Sequence, residues 1–261
     1  MPTERIPAPN ARTDKTGTGV GVLDRSVAVL DAVEEGARTL TQITETAGLT
    51  RTTAHRLVKA LEAHGFLQLQ GGFGYRLGPR LLTLARLALE ELPLRDLAHP
   101  ALTRLAESTG ESAQLFVRSG DERVCVDAVE SRRELRTLVQ VGAALPITAG
   151  SAGKVFMAWA SDADRDRLIR MARKLTPETP TGNRLREELR EIRNRGWAES
   201  SGEREPGVAS VSAPVLGRLD LLDAVVSVSG PAIRIGRFRA RRYAPAVLQV
   251  ATEIRRSLGA G

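Results

Sequence analysis

Residues Thr41–Leu77 read TQITETAGL, then TRTTAHRLVKALEAHGF, then LQLQGGFGYRL, and this stretch decides the fold of the first third of the chain. Within it, Ala54, Leu57, Val58 and Leu61 recur at i, i+3, i+4 and i+7, the spacing of a single apolar stripe along a helix. Thr52, Arg56 and Lys59 stand on the opposite face, with Arg51 and His55 on its shoulder. Thr50 is placed to cap this helix, and Leu49 to staple onto Ala54. A shorter helix over about Thr41 to Ala47 offers Ile43 and Ala47 to the same core, and Gly48 supplies the turn between the two. A third helix, from about Leu23 to Glu35, precedes them.

After Gly65 the period changes from helix to strand. Phe66, Leu67 and Leu69 run into Gly71, Gly72 and Gly74, and Tyr75 and Leu77 follow. Two short strands about a glycine turn form a wing. Three helices and a wing are the parts of a winged helix-turn-helix, which lays its last helix in the DNA major groove. Arg76 is the wing's phosphate contact. The alternative is a helical unit of the same shape that pairs only with protein, its polar helix face merely solvated.

The chain carries a formal net charge of +7, which favours an anionic partner. The first 80 residues are nevertheless close to neutral, and most of the excess follows Gly230, in Arg234, Arg237, Arg239, Arg241, Arg242, Arg255 and Arg256. A specific site read by an oligomer fits that distribution better than loose electrostatic binding.

At 261 residues, two domains are the default. Aromatic residues make up only 3%, so the cores must be built from Leu, Val, Ala and Ile. The single cysteine, Cys125, rules out a disulfide framework and a thiolate metal site, and its place in RVCVDAV makes it a buried strand residue. No secretory leader or membrane-length apolar run is present, so a cytoplasmic protein without a membrane partner is expected. Residues 1–19 lack apolar periodicity and are expected to be a disordered tail, followed by the winged helix-turn-helix over 20–78.

Pro79 opens a linker helix over 79–93 that is apolar on more than one face and so needs a cover, most simply a second subunit. Pro93 breaks it, and a new helix runs from about Arg95 to Thr109, ending at Gly110. The remainder, 94–261, alternates strand-like and helical segments. SAQLFVR, ERVCVDAV and ELRTLVQV read as strands; Ser151–Ala160, Ala163–Lys174 and Asn183–Arg195 as helices; GWAES, VASVSAPV and LDAVVSVSG again as strands; and about Phe238–Leu258 as a last helix. The fold class is α+β, with a mixed, mainly antiparallel sheet in a sensor domain of the GAF or PAS sort.

Catalysis finds little support. All three histidines, His55, His64 and His99, precede residue 100, so the second domain has none for a general base or triad. TAGSAGKVF fails the phosphate-loop pattern at Thr148 and Val155, and Gly17, Gly19 and Gly21 follow no strand; no cofactor is expected. What the residues offer instead is a pocket. Gly150, Ser151, Ala152 and Gly153 open a helix whose N–H groups face outward. Ser210 and Ser212 lie at period-two spacing, as do Ser227 and Ser229, where a core-facing strand would prefer Val or Ile. Ordinary solvent-facing serines would give the same spacing.

From Val20 to Leu258 the chain resembles the IclR family of bacterial transcriptional regulators. The likeness rests on LTRTTAHRLVKALEAHGFL, GESAQLFVRSGDERVCVDAVES, VGAALPITAGSAGKVFMAW, RGWAESSGEREPGVASVSAPV and AVVSVSGP. It implies an N-terminal winged helix, a linker helix used in dimerisation and a C-terminal effector-binding domain, acting as homodimers or homotetramers on palindromic double-stranded DNA operators. DNA contacts would fall on Arg51, Thr52, Thr53 and Arg56, with His55, Lys59 and Arg76 beside them. The effector, a small organic acid or amino-acid-related metabolite, would meet Leu135, Thr137, Ser151, Ala152, Ser227 and Ser229. Where members that bind small keto acids place an acidic residue and a cysteine, this chain has Ser200 and Ser210, and Glu203 is the nearest acid; a glyoxylate- or pyruvate-type ligand does not follow. The GVGVLDRS start and the GWAESSGEREPGVASVSAPV block look most like actinobacterial members.

Overall fold

The computed structural model describes residues 20–90, 93–236 and 239–259, so the expected tail over 1–19 lies outside them. The chain forms two compact units that divide between residues 91 and 92.

The first unit opens with α1 (Gly21–Glu34), α2 (Leu40–Thr46) and α3 (Arg51–Ala63). A capping box starts α2: Thr39 Oγ1 accepts from the Gln42 amide, and Gln42 Oε1 accepts from the Thr39 amide. Gly48, at φ +62°, makes the turn into α3. Thr50 caps α3, its Oγ1 accepting from the Thr53 amide at 3.4 Å. Ala54 and Val58 are fully buried, and Leu57 and Leu61 pack beside Val29, Val33 and Ile43.

The wing is an antiparallel pair, β1 (Leu67–Gln70) and β2 (Gly74–Leu77), with Leu67 opposite Leu77 and Gln70 opposite Gly74. It is stitched to the body of the unit where the Tyr75 amide donates to the Arg38 carbonyl at 2.8 Å. Gly74 permits that approach, since at φ +78° a Cβ there would strike the Arg38 carbonyl. The unit closes with α4 (Pro79–Glu90), whose Leu82, Leu84 and Leu87 are 75%, 43% and 42% exposed.

In the second unit come α5 (Pro93–Thr109), β3 (Ser112–Ser119), β4 (Glu122–Val129), β5 (Ala144–Pro146), α6 (Ser151–Trp159), α7 (Asp162–Met171) and α8 (Gly182–Arg195). They are followed by β6 (Ala198–Ser201), β7 (Val208–Leu216), β8 (Leu222–Pro231), the one-turn α9 (Ala232–Ile235) and α10 (Ala240–Ser257). Six strands form one sheet in the order β5-β4-β3-β8-β7-β6, and every pairing is antiparallel. The sheet is therefore wholly antiparallel rather than mixed.

Alternation along β7 and β8 divides the core into two layers. Ala209, Val211, Ala213, Val215, Ala224, Val226 and Val228 face α5 and α10. Phe116, Cys125, Ala198 and Val225 face α6, α7 and α8. On this second face the serines take the place of aliphatic residues.

Three expectations need correction. ELRTLVQV forms no strand: the edge of β4 is taken by β5, which pairs Glu122, Arg123 and Val124 with Pro146, Leu145 and Ala144, and residues 134–141 join no strand pairing among the described residues. Helix α5 begins at Pro93 and not after it, because proline fits the first turn of a helix, where an amide hydrogen would go unused. The last helix begins at Ala240, and α9 precedes it.

Candidate functional site

The exposed face of α3 follows from its cap and stripe. With Ala54 and Val58 inward, Arg51, Thr52, His55, Arg56 and Lys59 are exposed and Thr53 is half-buried. Two of these carry local partners. Thr53 Oγ1 receives the Thr50 hydroxyl at 2.9 Å, and Lys59 Nζ pairs with Glu62 at 2.9 Å, which raises the Lys59 pKa from its ordinary value. Arg76, at the wing, lies over the Phe73 ring at 5.1 Å.

The second site lies on the polar face of the sheet. Register places Ser200, Ser210, Ser229 and Ser112 in one row across β6, β7, β8 and β3, and Ala198, Ser212, Ser227 and Gln114 in the next. The rows are hydrogen-bonded. Ser151 Oγ meets Ser210 Oγ at 2.6 Å and Ser212 Oγ at 2.7 Å; Ser212 Oγ donates to Ser227 Oγ at 2.8 Å; Ser229 Oγ donates to Gln114 Oε1 at 3.1 Å. Ser212, Ser227 and Ser229 are buried, so they are not solvent-facing serines. Buried hydroxyls persist only when so paired.

These rows floor a small cavity of about 40 Å³ that opens to solvent. Gln114, Ser200, Ser210, Ser227 and Ser229 give it polar walls, and Phe116, Val139, Leu145 and Val208 apolar ones. Thr137 and Ala152 line it. Leu135 does not: it is 63% exposed, because the segment around it runs irregularly and is held through its carbonyl by Arg234. Ser151 stands behind the lining, tying α6 to β7.

The N-terminus of α6 opens onto this cavity through Gly150, at φ +80°. Arg123, on β4, is buried beneath it and stacks over Phe116 at 5.6 Å. Its Nη1 donates to the Pro146 and Ala149 carbonyls. Burial first, then the charge of Arg204, pull the Arg123 pKa down to about 9, against Glu203; it stays charged at neutral pH. Behind α6, Lys154 is buried in an ion pair with Glu203 and another with Glu188 at 3.0 Å. Glu203 Oε2 also accepts from the Gly150 amide at 3.3 Å. Burial outweighs Lys154 and raises the Glu203 pKa.

Sequence reading missed Arg123, Gln114, Phe116, Val139, Leu145 and the Lys154–Glu203 pair. Arg123 had a signal: it lies two residues before Cys125 on the same strand, so an inward Cys125 carries Arg123 inward with it. Lys154 had none, since its acids lie 34 and 49 residues away.

Comparison with known proteins gives a family for both units. The family description "Bacterial transcriptional regulator IclR C-terminal" matches residues 86–256, and "IclR helix-turn-helix domain" matches residues 22–71. The HTH-type transcriptional regulator BhcR of Paracoccus denitrificans is 31% identical over 90% of this chain and 86% of its own length. The glycerol operon regulatory protein of Streptomyces griseus is 34% identical over 92% of this chain and 96% of its own. The crystal structure of an IclR homologue from Microbacterium hydrocarbonoxydans complexed with 4-hydroxybenzoate superposes with a TM-score of 0.77 at 26% identity, covering 92% of this chain and all of that one.

Proposed function

The chain belongs to the IclR family of ligand-responsive, DNA-binding transcriptional regulators, which are not enzymes, and we propose the following division of labour within it. Helix α3 enters the major groove of an operator. Arg51, Thr52, His55 and Arg56 reach bases or phosphates there, and Thr53 supports them from the cap. Lys59 and Arg76 contact the backbone, each after giving up a local partner. The cavity on the sheet holds a small metabolite, an organic acid or an amino-acid relative. Two copies of the chain pair through α4, so that paired α3 helices meet the half-sites of a palindrome, and effector binding biases their spacing.

The observation that carries this reading is the α3 face of Arg51, Thr52, His55 and Arg56, exposed while Ala54 and Val58 on the other face are fully buried. The effector half rests on a buried serine lattice beneath a helix N-terminus. Ser200 and Ser210 stand where the family resemblance places an acid and a cysteine in members that bind small keto acids, which turns the expectation away from that ligand type.

The test is Arg56→Ala, measured by fluorescence anisotropy on the DNA flanking the chain's own gene. Its side chain is exposed, so the fold should survive unchanged. Loss of binding with an unchanged melting temperature is expected. Unchanged affinity would remove α3 from the reading role, and salt-independent failure of the parent protein to bind any DNA would favour a winged helix that pairs with protein.

A further inference from the structure

Arg123 is the buried charge that the serine lattice does not account for. Both hydrogen bonds of its guanidinium leave through Nη1, and buried Nε has no partner among the described residues. The guanidinium lines the cavity, and a Cβ at Gly150 would stand 3.2 Å from its Nη2, which places the charge at the N-terminus of α6. The acids nearby are already engaged. Glu203 is held by Lys154 and the Gly150 amide, and Glu205, half-exposed at the cavity wall, pairs with Arg204 at 3.3 Å. A buried cation with unused donors beside a helix N-terminus calls for an anion.

We propose that Arg123 is the anchoring residue of the effector cavity, and that it selects a small organic monoanion whose carboxylate lies between its guanidinium and the N-terminus of α6. The remainder of the ligand then lies on the serine rows, which can meet a hydroxyl or carbonyl, with Phe116, Val139 and Leu145 against its apolar part. Free amino acids are disfavoured, because both acids near the cavity are already paired and no carboxylate is left for an ammonium group. This rests on the cavity being the effector site, the reading given above, and it decides between the two ligand classes left open there.

The experiment uses the full chain and matched probes: lactate and 4-hydroxybenzoate, their neutral amides, and alanine and tyrosine. Binding is read by thermal shift and calorimetry on the parent, on Arg123→Gln, on Arg123→Lys as a charge-retaining variant, and on Ser227→Leu, which fills the cavity. A carboxylate should bind the parent, with its amide and the amino acids at least about 10-fold weaker. Arg123→Gln should lose about 10- to 100-fold, the range of a charge-assisted hydrogen bond, and Arg123→Lys should retain part of it. Equal binding of acid and amide, no binding of any carboxylate, or full binding by Arg123→Gln or, where that variant fails to melt cooperatively, by Arg123→Lys without loss overturns the proposal. If Ser227→Leu abolishes binding while Arg123→Gln does not, the cavity stands and Arg123 falls. If neither variant affects a carboxylate that binds the parent, the cavity is not the effector site and the underlying reading falls with it.

Discussion

Single side chains in this molecule act through what they satisfy or leave unsatisfied. Thr50 holds the first turn of α3, so Thr50→Ala should cost about 1 kcal/mol in chemical denaturation and weaken DNA binding by loosening the same turn. Burial pushes the Cys125 thiol up to about 12, with Asp127 adding to it, so the native protein should resist a thiol reagent at pH 8 that labels the unfolded chain at once. Rapid labelling of the folded protein would contradict this. Glu203 gives a pH signature. Its folded pKa is raised above the ordinary 4.5, so the folded state holds the proton more tightly. The parent's stability relative to Glu203→Gln should therefore increase as pH falls from neutral toward 4.5, and be lost as pH rises through the raised pKa. A difference constant with pH would refute it. Asp121 and Asp164 act oppositely: Arg167 and Arg118 lower their pKa values, so their contribution is present above the ordinary carboxylate range and fades below it.

At the scale of elements, pattern was legible where local and tertiary demands coincide. The stripe Ala54–Leu57–Val58–Leu61 makes a helix in any setting, and the glycine turn makes a hairpin. The period-two serines were legible as rows, but their depth was not, because it depends on α6 covering that face of the sheet. ELRTLVQV alternates like a strand and is none, since a strand exists only beside another and β5 holds that edge. Arg234 read as part of a basic surface, yet it forms a bidentate pair with fully buried Glu111 at 2.6 and 2.8 Å. That pair ties α9 to the start of β3, and Arg234→Ala should destabilise the second unit by about 2–4 kcal/mol, mostly by leaving Glu111 buried with only Arg133, at 3.8 Å, as an ion-pair partner among the described residues. A loss under 0.5 kcal/mol in urea denaturation would show that water replaces the arginine freely.

For the whole molecule, two units carry separate tasks, and α4 is proposed to couple them. Its exposed leucines make an apolar face that a second copy would bury, so Leu82→Glu should shift the protein toward monomer in light scattering and weaken operator binding in proportion. A dimer unaffected by that change would place the interface elsewhere. The measurement that tests the central claim most directly is a footprint on the DNA beside the chain's own gene, at near-physiological salt, with and without the carboxylate probes. Protection of a palindrome with half-sites about one helical turn or a multiple apart, lost in Arg56→Ala, is the predicted result. No protection under any of these conditions would contradict the assignment of α3 as the reading helix.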